Sequence, residues 1–248
     1  MIPRDHPRYE SLITREKLVE GMKAGITAIE GLIAHGRGEA FDYILGEKTR
    51  DFALKAEKTA TAMLLLAKNP VISVNGNTAV LVPKEIGELA KLVNAKVEVN
   101  VFHYSEERVR KIADYLSKFG ISALFAGDAV LEGLSSSRRI VDKRGIYSAD
   151  VVLVPLEDGD RCEILKRHGK KVIAIDLNPL SRTSRMADIT IVDNITRAIA
   201  KMCEFAKEMR NLSKEELEKI VAGYDNKKIL GEAIEGIIEY LENAKKLL

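Results

Sequence analysis

Val71-Ile72-Ser73-Val74-Asn75-Gly76-Asn77-Thr78 is the stretch on which the reading of this chain turns. A short, mainly apolar run passes without a spacer into four small polar residues. Such a run suits a strand covered on both faces, and Asn-Gly-Asn-Thr suits the turn and cap that open a helix. The same grammar recurs along the chain. Val97–Phe102 runs into His103-Tyr104-Ser105, and Ile121–Phe125 runs into Gly127-Asp128. Val151–Val154 follows, then Val172–Ile175 before Asp176-Leu177-Asn178-Pro179, and Ile189–Val192 before Asp193-Asn194. Helical periods separate most of these runs. About six such units predict an α/β fold, a doubly wound and mainly parallel sheet of Rossmann-like kind.

Working outward, residues 1–69 read as a helical N-terminal part, 70–212 as the α/β core and 213–248 as C-terminal helices, together one domain. From Leu18 the apolar positions Met22, Ile26, Ile29 and Ile33 share a helical stripe. Thr14 is the expected N-cap and Gly36-Arg37-Gly38 the expected stop. A second helix is expected from about Thr49 to Lys68, ended by Asn69-Pro70. Ser105-Glu-Glu opens a helix that Gly120 closes, whereas Ser135-Ser-Ser-Arg-Arg reads as a loop or a short helix. Ser213-x-x-Glu216 has the capping-box pattern. Ile229 to Leu248 is a helix that covers the sheet or meets a partner subunit.

Lys+Arg number 39 and Asp+Glu 37 in 248 residues, a balance that gives no global case for nucleic acid or an anionic membrane. No apolar run approaches the roughly 20 residues of a membrane span. Met1 to His6 lacks the apolar stretch of a signal peptide, so a cytoplasmic protein is expected. Cys162 and Cys203 stand apart, without disulfide or zinc-ligand spacing. The chain has no Gln and no Trp and is rich in Lys and Glu, a composition that suits a thermophilic source.

In open α/β sheets ligands bind beyond the carboxyl ends of the strands, and those ends are polar here. Asn75, Asn77 and Thr78 read either as turn and cap or, with Gly76, as a place where backbone N–H groups approach an anion. His103 reads as a capping or catalytic histidine. Asp176 can address a ribose or a ring amine. Arg182 and Arg185 suit phosphate oxygens or a solvated loop. Arg15 and Arg37 read by default as surface charges, although flanking glycines favour a close-packed or ligand-facing loop at Arg37. No Gly-x-Gly-x-x-Gly follows a strand, and there is no P-loop and no Gly-x-Ser-x-Gly elbow. Any nucleotide site is therefore unconventional.

Several blocks carry a likeness. They are Ile2 to Leu12 with Arg15, Gly31 to Glu47, Asn69 to Ala79, Asp176 to Ser184 and Asp193 to Ala198. The likeness they carry extends over nearly the whole chain, which resembles the archaeal phosphopantothenate synthetases. The resemblance implies an AMP-forming ligase of archaeal coenzyme A biosynthesis, which joins 4-phosphopantoate to β-alanine with ATP and Mg2+, and a homodimer. It implies that Arg15 and Arg37 hold ATP phosphates and are the catalytic groups, with Arg182 and Thr183 assisting. Asp176, Leu177 and Asn178 would address the adenosine, with Asn194 and Ile195 beside them. Our own reading gives Asn75, Asn77, Thr78 and His103 to phosphopantoate. No protein metal ligand is expected. The alternatives are a nucleotide-binding regulator without turnover and an interaction protein that uses its long terminal helices.

Overall fold

The computed structural model describes residues 3–6 and 8–247; Met1, Ile2, Pro7 and Leu248, which include part of the opening block, lie outside the described residues. Three helices come first: α1 (Tyr9–Lys23), α2 (Ile29–Leu45) and α3 (Asp51–Leu66). The chain then alternates through β1 (Pro70–Val74), α4 (Gly76–Leu81), α5 (Pro83–Leu92), β2 (Lys96–Val99) and α6 (Glu106–Ser117). A small antiparallel ribbon follows, β3 (Ala129–Val130) with β4 (Ile140–Val141), and a 3-10 turn at Ser137–Arg139 lies between them. Next come β5 (Val151–Pro155), α7 (Gly159–Arg167), β6 (Lys171–Ile175), α8 (Arg182–Met186) and β7 (Ile189–Ile191). α9 (Ile195–Met209), α10 (Lys214–Ala222) and α11 (Asn226–Lys245) close the chain.

The main sheet has five parallel strands in the order β2-β1-β5-β6-β7, so the expected α/β class is the observed one. Each central strand serves two cores alternately. Ile72, Leu153 and Ile173 face the core shared with α3, α5, α6 and α9, while Val71, Val152 and Val172 face α7 and the ribbon. That is the period of two expected of a sheet buried on both sides. The run expected as a sixth strand at 121–125 reaches the sheet at one residue. Leu124 N donates to Val97 O at 2.8 Å and Leu124 O accepts from Val99 N at 2.9 Å. Beyond it Ala126 N is drawn to Asp142 Oδ2 at 3.3 Å and Gly127 takes φ 62°, which turns the chain out of the ladder.

The N-terminal part departs most from its sequence pattern. The single stripe from Leu18 to Ile33 is broken at Gly25 (φ 73°), after which Ile26 N and Thr27 N both return to Gly21 O. Leu18 and Ile26 are buried, but Ile29 and Ile33 are 65% and 63% exposed. Gly36-Arg37-Gly38 is not a stop. It lies inside α2, which ends at left-handed Gly46, and Thr14 lies inside α1. A helix tolerates such glycines at a cost of about 1 kcal/mol each. α3 buries Ala53, Ala56, Ala60 and Leu64 in the sheet's own core. Ser105, Asn194 and Ser213 cap their helices as their positions suggest, Ser213 with Glu216 in a capping box. No described helix is long and apolar enough to cross a membrane.

Candidate functional site

The winding direction reverses between β1 and β5, and such a reversal leaves a crevice beyond the strand ends. Asn75 Nδ2 ties the two ends together, donating to Pro155 O (3.0 Å) and Leu156 O (3.3 Å). Leu156 is held at φ 55°, a left-handed conformation costing of order 1–3 kcal/mol outside glycine. Next to it the buried Glu157 carboxylate pairs with Arg161 and, at 2.9 Å, with Arg138. Arg161 also donates from Nη1 and Nη2 to Ser73 Oγ, both at 3.2 Å, and Asn100 Nδ2 holds Arg138 O at 3.2 Å. Burial pushes the Arg138 guanidinium below its ordinary value, and Glu157 opposes that shift. None of these buried charges stands out in the sequence. Only the four-residue spacing of Glu157 and Arg161 on one helix start hints at a pair.

α2 passes over the strand ends. A Cβ at Gly31 would stand 2.6 Å from Asn77 Oδ1, beside β1, and one at Gly38 would meet Leu177 Cδ1 at 3.9 Å, beside β6. Farther along α2, Asp42 reaches β7, where its Oδ2 accepts from Asn194 Nδ2 at 2.9 Å. Arg37 is therefore an exposed residue of a helix, not of a loop, and among the described residues its guanidinium has no ion-pair partner. Arg15 of α1 is brought to the same helix, donating to Tyr43 Oη (2.9 Å) and pairing with Glu39 (3.4 Å). Burial works against the Glu39 charge, but Ser11 and Arg15 hold the carboxyl below its usual range. His35 is pushed down by burial, and its Nε2 is buried without a hydrogen-bond partner among the described residues.

At the end of β6, Asp176 organises a turn. Its Oδ1 accepts from Asn178 N (2.9 Å) and its Oδ2 from Ser181 Oγ (2.5 Å). Asn178 Oδ1 accepts in turn from Leu180 N, and Leu177 is buried. Arg182 pairs with Asp160 and Glu163 of α7, so it is neither a free phosphate ligand nor a merely solvated charge. Thr183 is buried and donates its hydroxyl to Glu157 O at 2.7 Å, linking this turn to the β5 end.

At the end of β7, Asn194 caps α9 by accepting from Thr196 N, and buried Ile195 begins the helix. Arg197 then joins Asp42 (2.6 Å) to Asp193 (2.5 Å), and Thr49 Oγ1 donates to Asp193 at 2.6 Å. Glu57 of α3 lies beside this group with no exposure, and among the described residues no donor reaches either carboxyl oxygen. Burial first and Asp193 second raise Glu57 to about 9. The folded state thus keeps a proton that the unfolded chain loses near 4.5, so stability is complete below that pH and falls as pH rises toward 9. The slope is at most about 1.4 kcal/mol per pH unit. Glu57→Gln should therefore gain stability over the native chain progressively between pH 5 and 8 in thermal melts. A difference that does not vary with pH would mean that Glu57 is ionised in the fold.

The ends of β1 and β2 complete the crevice. Asn75 Oδ1 accepts from Thr78 N (3.0 Å) and from Thr78 Oγ1 (3.2 Å), and Asn77 Nδ2 donates to Gly31 O (2.8 Å). The three side chains are thus engaged within the fold. Gly76 is needed because any Cβ would overlap Ile26 O, so its open side faces the α1–α2 link. His103 is exposed, 3.6 Å from Glu30 Oε2 and edge-on to Phe102. Sequence reasoning passed over Arg108, whose guanidinium donates to Ile26 O and His103 O.

Fold and geometry together define a doubly wound α/β protein with a helix that carries Arg37 laid across the strand ends at the reversal of its sheet. The chain belongs to the phosphopantothenate/pantothenate synthetase family, whose model matches residues 52–240. It is 58% identical over 236 residues to a 4-phosphopantoate–β-alanine ligase of Thermococcus kodakarensis, covering 94% of this chain and 90% of the relative. It is 57% identical over 243 residues to the ligase of that name from Methanosarcina mazei, covering 97% and 96%. The corresponding ligase of Methanospirillum hungatei is 51% identical over 243 residues, covering 98% and 99%.

Proposed function

We propose that this chain is the ATP-dependent ligase that condenses 4-phosphopantoate with β-alanine to 4′-phosphopantothenate, releasing AMP and diphosphate, on the archaeal route to coenzyme A. The observation that carries the reading is identity of 51–58% to ligases of that name over nearly the full length of both chains. The crevice at the sheet reversal suits a nucleotide and an anionic acid held side by side.

The chemistry divides into two displacements. A phosphopantoate carboxylate oxygen attacks the ATP α-phosphorus, the α–β bridging bond breaks and diphosphate leaves. The neutral amine of β-alanine then attacks the acyl carbon, the bond to AMP breaks and the amine nitrogen releases a proton. No protein nucleophile is required, so the chain's task is positioning and neutralisation of charge. Arg15 and Arg37 hold the ATP phosphates on this reading. Asp176 keeps acceptor capacity for the adenosine, because two hydrogen bonds leave about two of its four lone-pair sites open. Asn178 and Leu177 line the same end. Asn194 spends its side chain on Asp42 and Thr196, so it and Ile195 contribute backbone and shape. Arg182 would leave its surface acids for phosphate, with Thr183 beside it. Asn75, Asn77 and Thr78 shape the phosphopantoate end, next to His103.

Among the described residues no three His, Cys, Asp or Glu side chains converge as a metal cage. Mg2+ would be carried on the substrate phosphates and water, its usual habit, and would supply neutralising charge for the leaving diphosphate. The working unit proposed is a cytoplasmic homodimer. The exposed Ile29 and Ile33 of α2 and Ile238 and Leu241 of α11 are apolar surface that a second copy would cover.

Incubating the protein with ATP, 4-phosphopantoate and β-alanine should yield AMP and diphosphate in step with the amide product, and only when both organic substrates are present. ADP and inorganic phosphate in their place would point to an acyl phosphate, and ATP binding without turnover to a regulator.

A further inference from the structure

Arg108 lies in the first turn of α6, just past the end of β2, and is half-buried. Its Nε and Nη2 donate to Ile26 O at 3.1 and 3.0 Å, and its Nη1 donates to His103 O at 3.0 Å. Neutral carbonyls thus take three of the five guanidinium N–H groups, and one on each terminal nitrogen is left over as a fork. Among the described residues no carboxylate lies within ion-pair distance of it. Glu30, whose charge acts on it from a distance, is 66% exposed and faces His103. Burial and the neighbouring Arg138 both push Arg108 below its ordinary value, so a second cation adds to the first where an anion is missing. Behind them stands Arg161. Across the ends of β2, β1 and β5, Arg138 and Arg161 share the buried Glu157, Arg138 also pairs with the exposed Asp158, and Arg108 has no acid of its own among the described residues. Glycine at position 76 lets the Ile26 carbonyl seat here, since a Cβ there would overlap Ile26 O and come 3.1 Å from Arg108 Nη2.

A half-buried surplus of positive charge is costly unless an anion completes it. We propose that Arg108, backed by Arg138, is the subsite for the phosphate monoester of the acid substrate. The assignment rests on the ligase reading and gives the crevice a direction. Neighbouring strands are about 4.8 Å apart, so the β6 end with Asp176 is ~10 Å from β1, and the β7 end is farther. Adenosine at β6 and β7 and a phosphate at β1 and β2 leave the β5 end between them for the reacting carboxylate and the α-phosphorus.

Steady-state kinetics of R108Q and R108K beside the native chain test this, each substrate being varied at saturating levels of the others. R108Q should raise KM for phosphopantoate by roughly 10–100-fold, the loss of one charge-assisted contact. KM for ATP should stay within about twofold, and R108K should recover part of the loss. Inorganic phosphate should compete with phosphopantoate on the native chain and lose that competition in R108Q. Calorimetric titration of phosphopantoate without ATP reads the same subsite where there is no turnover, so an inactive native chain would sink the ligase reading and leave this inference decidable. An equal rise in KM for both substrates, or a fall in kcat with a lower melting temperature, would make Arg108 a peg for the Ile26 link. A shift confined to ATP would assign the fork to the triphosphate. Unchanged phosphopantoate kinetics and binding would overturn the proposal outright. Should R108Q fail to fold, R108K, which keeps a charge and donors for Ile26 O, carries the same comparison.

Discussion

Arg37→Ala should lower kcat/KM for ATP by roughly 10–1000-fold while leaving the melting temperature almost unchanged. The kinetic part follows from the role proposed for Arg37. A guanidinium can donate two parallel hydrogen bonds to phosphate oxygens, each worth about 1.5–3 kcal/mol when charge-assisted. Charge that builds on the leaving diphosphate strengthens them in the transition state, so the loss reaches kcat as well as KM. The stability part follows from the structure. Arg37 is exposed on α2, and a Cβ at neighbouring Gly36 would meet nothing within 4 Å. Alanine is as good a helix former as arginine or slightly better, so the helix loses nothing. Arg37→Lys should recover only part of the rate, because an ammonium keeps the charge but not the planar fork. ATP kinetics beside thermal melts of the three proteins decide the matter. Native kinetics in the alanine variant would return Arg37 to an ordinary solvated side chain, and a large fall in melting temperature would make its role structural.

Glu157→Gln should cost about 3–5 kcal/mol of stability, the usual result of removing one partner from a buried ion pair. Glu157 is the shared acid of Arg138 and Arg161, whose side chains are 7% and 0% exposed. An amide in its place leaves two guanidiniums facing each other with no buried counter-charge. In a protein of this size the loss should lower the melting temperature by roughly 10 °C. Combining it with Arg161→Met removes one of the stranded cations, so the double variant should be more stable than Glu157→Gln alone. A single-variant loss under about 1 kcal/mol, or a double variant whose losses simply add, would show that the cluster does not act as a unit.

Much of the architecture was legible because its causes are local. Ile72 and Val71, or Ile173 and Val172, alternate between two cores within a few residues, and that alternation is visible in the bare run. Caps at Ser105, Asn194 and Ser213 are equally local, since each accepts from an amide two or three residues on. The polar strand ends were legible for the same reason. The run at 121–125 had the right composition for a strand and still made a single bridge, because Asp142, distant in sequence, draws Ala126 away.

Local pattern misled at α2. Gly36-Arg37-Gly38 carries every sign of a helix stop, yet the helix continues to Leu45. Gly31 is there for Asn77, a neighbour that only the folded sheet supplies. The same holds for Asp42 with Arg197, for Arg138 with Glu157, and for Arg108 with the Ile26 carbonyl. Charged residues such as these read as solvated in any sequence, because burial belongs to the whole packed chain and not to a window of it. The sequence by itself therefore determined the five strands of the main sheet, the caps at Ser105, Asn194 and Ser213 and which strand ends are polar, since each depends on residues a few positions apart. Strand order, the reversal between β1 and β5 and the helix laid across it were decided by tertiary structure alone. Those features set which charges lose their water and which distant side chain each must find instead, and no short stretch of sequence contains both members of such a pair.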